Sequence, residues 1–171
     1  AYSDLDLITA LMDAKKNRNI DGILVLSPHP AHITLDRTLL YNLVDARQDI
    51  EALKDHHVGQ LGQGLSAAYI TPPTATAVML ILQEYQVKLY DELETQNSKG
   101  SKRVSRNGLI INRSEVLGKP LRSMLEHRGM NVIAINHETD DELVKRVMPL
   151  SEVIVTAVPT IGSGVGYRIP T

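Results

Sequence analysis

The segment Asn112-Arg113-Ser114-Glu115-Val116-Leu117-Gly118-Lys119-Pro120 stands directly between an apolar run, Gly108 to Ile111, and a stretch with helical spacing from about Lys119 to Arg128. A turn in that place presents backbone N–H groups and a helix N-terminus, and both favour a bound phosphate. Arg113 would add a charged clamp and Ser114 a hydroxyl donor. The glycine spacing G-x-G-x-x-G is missing, so the residues alone leave two readings open: a dinucleotide-phosphate turn, or an ordinary connection from strand to helix.

Other polar groups have plainer readings. His29-x-x-His32 has the spacing of a metal pair, but Pro28 and Pro30 oppose a helix there and no carboxylate partner is evident, so a surface loop is expected. His56-His57 precedes Gly59, Gly62 and Gly64 in what reads as a glycine-rich loop, where histidines are solvated by default. Gly162, Gly164 and Gly166 follow Val158-Pro159 without an evident helix after them, which suits a loop and not a phosphate cradle. Leu121, Met124 and Leu125 read as the buried face of a helix. The chain has no cysteine, which removes disulfides, thiolate nucleophiles and thiolate metal sites.

The elements that would carry these residues alternate helix and strand. Ser3 to Asn19 reads as an amphipathic helix, with Ser3 as N-cap, Asp4 and Asp6 in the first turn, and Leu5, Ile8, Leu11 and Met12 at helical spacing. Ile23-Leu24-Val25-Leu26 is a short continuous apolar run, the pattern of a strand buried on both faces. A helix is expected over Thr34 to Val44, a short strand or turn at Asp49 to Leu53, and a helix from about Thr74 to Gln86 after Pro72-Pro73. Glu94 to Asn107, with Ser98, Gly100 and a basic cluster, reads as a linker. Beyond it come a strand at Gly108 to Ile111, the helix that Gly129 ends, a strand at Asn131 to Ile135, a helix over Asp140 to Met148 and a strand at Glu152 to Ala157. That order is half of a doubly wound parallel sheet.

Bulk properties set the outer limits. The chain has 171 residues, 43% of them apolar, which suffices for a proper core. A formal charge of −2 leaves no global positive field, so no nucleic acid partner is expected. No run approaches the roughly 18 to 20 apolar residues of a membrane span, and residues 1–20 carry charges where a signal peptide would be apolar. The chain begins at Ala1 without methionine, so something upstream, a targeting segment included, is expected to have been removed or left out.

Four segments in order resemble the methylenetetrahydrofolate dehydrogenase/cyclohydrolase family. Asn112 to Pro120 resembles its G-R-S-x-x-V-G-x-P loop, with asparagine for the first glycine. Asp21-Gly22-Ile23-Leu24-Val25-Leu26-Ser27-Pro28-His29-Pro30 resembles its D-G-I-L-V-Q-L-P-L-P stretch. Asp49 to Leu53, continuing to Val58-Gly59-Gln60-Leu61, looks like its D-V-D-G-F and V-G-x-L run, and Pro72 to Val78 resembles P-C-T-P-x-G-V. Within the family the details look like the fungal, NAD-dependent, dehydrogenase-only branch: N-R-S at Asn112, Glu51, Ala77, Val158-Pro159, and Tyr167-Arg168-Ile169-Pro170-Thr171.

The resemblance implies an α/β fold: a partial folate-type α/β domain over residues 1–97, lacking its N-terminal units, then a partial Rossmann-like parallel-sheet nucleotide domain over residues 98–171, lacking its C-terminal part. It implies hydride transfer from 5,10-methylenetetrahydrofolate to NAD or NADP in one-carbon metabolism, NAD being favoured by the fungal look. It also implies a homodimer or a subunit of a larger complex, in the cytoplasm or the mitochondrial matrix. Substrate-site positions fall on Glu51, Pro28 and Pro72, where Glu51 could accept from the pterin amino and ring N–H groups. Cofactor positions fall on Asn112, Arg113, Ser114, Gly118, Pro120, Val158 and Pro159. At the end of the next strand a carboxylate would accept from a ribose 2′-OH and an arginine or serine would receive a 2′-phosphate; Asn136 and His137 stand there.

The departures are as informative. The family's Y-x-x-x-K lysine lies upstream of Ser3 and is absent, and its supporting glutamine is Leu26, which neither donates nor accepts a hydrogen bond. Cyclohydrolase activity is therefore not expected. Pro73 replaces the cysteine of P-C-T-P, Ala75 its second proline, and Ala52 and Leu53 the glycine and aromatic beside the folate carboxylate. Hydride transfer could survive these losses, because the nicotinamide carries the chemistry and the protein positions the reactants. Three readings stand together: a dehydrogenase, a non-catalytic descendant that binds no cofactor and serves as a structural or interaction subunit, and a fragment of an intact enzyme.

Overall fold

The computed structural model describes residues 2–26, 30–64, 70–94 and 101–157. Contacts divide the chain into two compact units, Ala1–Pro73 and Thr74–Thr171. The boundary expected after residue 97 lies instead between Pro73 and Thr74. The helix that follows goes with the second unit, because its Ala75 and Met79 are buried with Ile110, Leu121 and Leu125.

In the first unit, α1 spans Asp4–Lys16. Ser3 closes a capping box: its Oγ accepts from the Asp6 amide at 3.3 Å while Asp6 Oδ2 accepts from the Ser3 amide at 2.7 Å. These bonds hold the Asp6 carboxyl below its ordinary range. Of the expected apolar face only Leu11 is buried; Leu5 is 71% exposed, and Leu7 packs against the core in its place. The helix α2 spans Arg37–Leu43, capped by Asp36, whose Oδ1 accepts from the amides of Thr38 at 2.8 Å and Leu39 at 3.3 Å. Leu11, Val25, Leu40, Tyr41, Val44 and Leu53 form the core of this unit.

Two expectations fail here for identifiable reasons. The apolar run Ile23 to Leu26 is not a strand: Ile23 makes one parallel bridge, to Asp49, and Leu24 and Leu26 are 49% and 75% exposed while Val25 is buried. A strand buried on both faces needs neighbours and covering layers, and a single bridge supplies neither. The glycine-rich loop is instead a helix, α3, Asp55–Gly62, which contains Gly59 and Gly62. Each interior glycine costs about 1 kcal/mol of helix propensity. Burial of His57, whose Nε2 donates to the Ala46 carbonyl at 2.7 Å, anchors the helix against that cost.

In the second unit α4, Pro73–Glu84, precedes an antiparallel hairpin of β1, Tyr90–Glu94, and β2, Ser101–Ser105. Among its described residues the expected linker is thus largely strand. Two of its basic residues are tied down: Arg106 forks onto Asp91 at 2.9 and 3.1 Å, and the Arg103 guanidinium lies 4.5 Å from the Tyr90 ring centroid.

Three parallel strands follow: β3, Asn107–Ile111; β4, Asn131–Ile135; and β5, Val153–Thr156. Their order is β4-β3-β5, with α5, Gly118–His127, between β3 and β4 and α6, Asp141–Val147, between β4 and β5. Side chains alternate across β3. Ile110 joins Leu121 and Leu125 of α5, with Ala75 and Met79 of α4, while Leu109 and Ile111 join Val144 and Val147 of α6. Both faces of the central strand are therefore covered, which is the doubly wound arrangement expected. Gly129 ends α5 with φ 90°, a left-handed value that glycine adopts at no steric cost.

Candidate functional site

Because β3, β4 and β5 run parallel, their carboxyl ends lie at one edge of the sheet. The registers Ile111↔Ile135 and Ile111↔Thr156 bring the three strand ends level. The first connection goes from β3 to one neighbour and the second crosses to the other side, so the chain reverses direction of winding around β3. Crevices outside the carboxyl ends of strands at such a reversal are where open α/β sheets bind ligands.

The loop after β3 is organised by Asn112. Its Oδ1 accepts from the Ser114 amide at 2.8 Å, the Ser114 hydroxyl at 2.7 Å and the Gly118 amide at 3.1 Å. Its Nδ2 donates to the Ala157 carbonyl at 2.7 Å, joining the loop to the end of β5. Ser114 Oγ accepts in turn from the Leu117 amide at 3.2 Å. A Cβ on Gly118 would collide with the Asn112 carbonyl oxygen and lie 2.8 Å from Arg113 Cα, so the tight return of the loop onto α5 requires glycine there. Pro120 is buried in the first turn of α5.

The consequence for ligand binding is specific. Three N–H groups of this turn, those of Ser114, Leu117 and Gly118, already have side-chain acceptors within the loop. Arg113 is exposed and, among the described residues, has no hydrogen-bond or ion-pair partner. Those three amides are engaged within the loop, and Arg113 is a charged group that the turn leaves exposed.

After β4, Asn136 is half-buried and turned into its own loop. Its Nδ2 donates to Glu138 Oε2 at 3.1 Å, and its Oδ1 accepts from the Glu138 amide at 3.3 Å and the Thr139 hydroxyl at 3.2 Å. His137 is exposed. Glu138, in the same turn, is exposed, and Asp140 caps the helix that follows. Pro28, His29, Val158, Pro159, Gly162, Gly164, Gly166 and the segment Tyr167 to Thr171 lie outside the described residues.

In the first unit Glu51 sits in the turn between Asp49 and Leu53. Partial burial, and then the nearby Asp49 carboxylate, push its carboxyl above the ordinary range. Among the described residues it has no hydrogen-bond or ion-pair partner. Asp49, by contrast, is buried and accepts from the Lys54 amide at 2.8 Å. Ala52, at the position the resemblance gives to glycine, is held at φ 55°, a strained conformation for a residue with a Cβ. Leu26 is exposed and Pro72 is buried. His56-His57, read as solvated, splits: His57 is 3% exposed and structural. His32 donates from Nε2 to the Tyr2 carbonyl at 2.9 Å, so it also has a structural partner.

No family model matches the chain. Curated relatives do. The mitochondrial C-1-tetrahydrofolate synthase of Saccharomyces cerevisiae is 24% identical over 155 residues, covering 91% of this chain and 14% of that protein. The bifunctional protein FolD of Nitratiruptor sp. is 33% identical over 126 residues, covering 74% of this chain and 38% of that one. Among solved structures, the bifunctional methylenetetrahydrofolate dehydrogenase/cyclohydrolase FolD of Campylobacter jejuni superposes with a TM-score of 0.75 at 23% identity, over 91% of this chain and 49% of that one. The NAD-dependent 5,10-methylenetetrahydrofolate dehydrogenase of Saccharomyces cerevisiae does so with a TM-score of 0.71 at 20% identity, over 95% of this chain and 58% of that one. The chain thus spans about half or less of the curated relatives it matches. The resemblance read from the motifs and the α/β fold it implied are both borne out.

Proposed function

We propose that this chain, a homologue of the methylenetetrahydrofolate dehydrogenase/cyclohydrolases, takes part in oxidation of 5,10-methylenetetrahydrofolate with a nicotinamide dinucleotide as acceptor. The observation that carries the reading is Arg113: the loop after β3 brings a guanidinium without a partner among the described residues to the carboxyl edge of a parallel sheet where its winding reverses. There it would meet a cofactor phosphate, supported by the turn that Asn112, Ser114 and Gly118 build. Glu51 would accept from the pterin amino and ring N–H groups, which would favour its charged form against the burial that now disfavours it. A bound nicotinamide supplies the electron-accepting ring. NAD is favoured over NADP, since neither arginine nor serine follows β4. Leu26 argues against cyclohydrolase activity, as it can orient neither water nor a proton-transfer group.

The test is turnover by the full chain with NAD and methylenetetrahydrofolate, read as NADH absorbance. Formation above the level of a Glu51→Gln, Arg113→Ala double variant is expected; equal rates overturn the reading.

A second reading has its own support. Ala52 strains the folate-side turn and Leu26 stands exposed where the resemblance places a glutamine, as a non-catalytic subunit of a larger assembly would tolerate. It requires that calorimetry detect no NAD(H) or folate affinity. Self-association or a partner suits either reading, because β4 and β5 leave their outer edges unpaired among the described residues. Sedimentation of the purified chain distinguishes monomer from assembly. Among the described residues no helix is long and apolar enough to cross a membrane. Cytoplasm or mitochondrial matrix is the proposed location, the latter supported by the mitochondrial yeast relative.

A further inference from the structure

The hairpin of the second unit ends on a serine that follows two cations. Lys102-Arg103-Val104-Ser105-Arg106 runs along β2 to its junction with β3, so basic residues stand three and two positions before Ser105 and one directly after it. Arg106 is neutralised in its fork onto Asp91 at 2.9 and 3.1 Å, whereas Arg103 keeps 69% of its side chain exposed, 3.7 Å from Glu92. Positive charge is therefore presented on the N-terminal side of Ser105, which is itself exposed. Residues two apart share a face of a strand, and on this face Tyr90 stands opposite Ser105 and Glu92 opposite Arg103. The Arg103 guanidinium, 4.5 Å from the Tyr90 ring centroid, leans toward the row that Ser105 occupies. Because β1 and β2 make a sheet of two strands, the outer edge of β2 is unpaired among the described residues. A two-stranded ribbon is marginally stable by itself, so local opening that offers this segment in extended form costs little.

We propose that Ser105 is a phosphorylation site, recognised by a protein-serine kinase whose substrate groove is acidic. Such a groove selects its serine by charge pattern, its carboxylates receiving the cations that precede the hydroxyl in an extended segment. In the transfer Ser105 Oγ attacks the γ-phosphorus of a nucleoside triphosphate. The new O–P bond forms as the bond to the β,γ-bridging oxygen breaks, the nucleoside diphosphate leaves, and the hydroxyl proton passes to the aspartate of the kinase. The product carries about −1.5 to −2 charge at neutral pH. On the face it shares with Arg103, that phosphate competes with the Glu92 carboxylate for the guanidinium and repels the displaced carboxylate, so the modification switches the charge pairing of the hairpin. Nothing in the assignment depends on the cofactor or folate reading above.

Incubation of the full chain with magnesium ATP and the catalytic subunit of cyclic-AMP-dependent protein kinase, followed by peptide mass spectrometry, tests it. Phosphate is expected on Ser105 and is expected to vanish in Ser105→Ala. The double variant Lys102→Ala, Arg103→Ala should slow incorporation about tenfold or more, the loss expected when charge-assisted contacts to the kinase are removed. The exchange Lys102→Arg, Arg103→Lys, which keeps both charges, should retain most of the rate and so separates recognition from damage to the hairpin. Lys145→Ala, which removes an exposed cation on α6, should leave the rate unchanged. Absence of phosphate from the folded chain, phosphate that persists in Ser105→Ala, or equal rates in the unaltered chain and the double alanine variant overturns the assignment.

Discussion

Two short apolar runs of the same kind, Ile23 to Leu26 in the first unit and Gly108 to Ile111 in the second, end in different states. The second is the centre of a parallel sheet, paired on both sides and covered on both faces. The first has one bridge and exposes two of its leucines. Around it polar side chains satisfy backbone groups that a sheet would otherwise pair: Lys54 Nζ donates to the carbonyls of Asn42 at 2.5 Å and Val44 at 2.8 Å, Gln48 Nε2 to that of Ile20 at 2.8 Å, and His57 to that of Ala46. The difference teaches that a continuous apolar run specifies a buried strand only where neighbours exist to receive its hydrogen bonds. Where they do not, stability passes from ladders and apolar layers to individual polar tethers.

Removing an apolar layer should have the largest effect. Leu121→Ala, at a fully buried position, should cost about 2–5 kcal/mol in urea unfolding followed by circular dichroism. A cost below about 1 kcal/mol would mean the second unit is not held by its layers. Next, Lys54→Met should cost about 1–3 kcal/mol by leaving carbonyls without their donor. The same change at Lys119, an exposed partner of Glu115, should cost less than about 0.5 kcal/mol. Equal costs at the two lysines would erase the distinction between tether and surface charge. Ser3→Ala, which opens the capping box of α1, should cost about 1 kcal/mol and lower helicity.

The smallest effects carry opposite signs in the two units. Glu51 has a folded value above its unfolded one, so the folded state holds the extra proton between them, and stability falls as pH rises through that window. Glu51→Gln should flatten that fall. Asp91 is held below its unfolded value by the hydrogen bonds from Arg106, so its contribution is present above the unfolded value and lost as pH falls through the folded one. Asp91→Asn should remove that acid loss. Stability against pH for the two variants, measured in parallel, checks both signs.

The site was legible in part. Arg113, Ser114 and Gly118 could be read from their place between an apolar run and a helix, since chain order alone puts them at a sheet edge. Glu51 was recognisable by resemblance, but not the burial and the Asp49 neighbour that shift it. Asn112 was counted as a cofactor residue, and its hold on the Ser114 and Gly118 amides was invisible in the linear pattern.

What the sequence by itself determined was everything set within a few residues: the caps at Ser3, Asp36 and Asp140, the stop at Gly129, and the alternation of strand and helix from Asn107 onward. Those hydrogen bonds close between neighbours in the chain, so local types suffice. The tertiary structure alone decided that α4 packs with the sheet, that His57 is buried, that Ile23 to Leu26 makes a single bridge and joins no sheet, and that Asn112 reaches Ala157 across 45 residues. Each of these depends on a partner distant in sequence, and only the folded chain selects which distant groups meet.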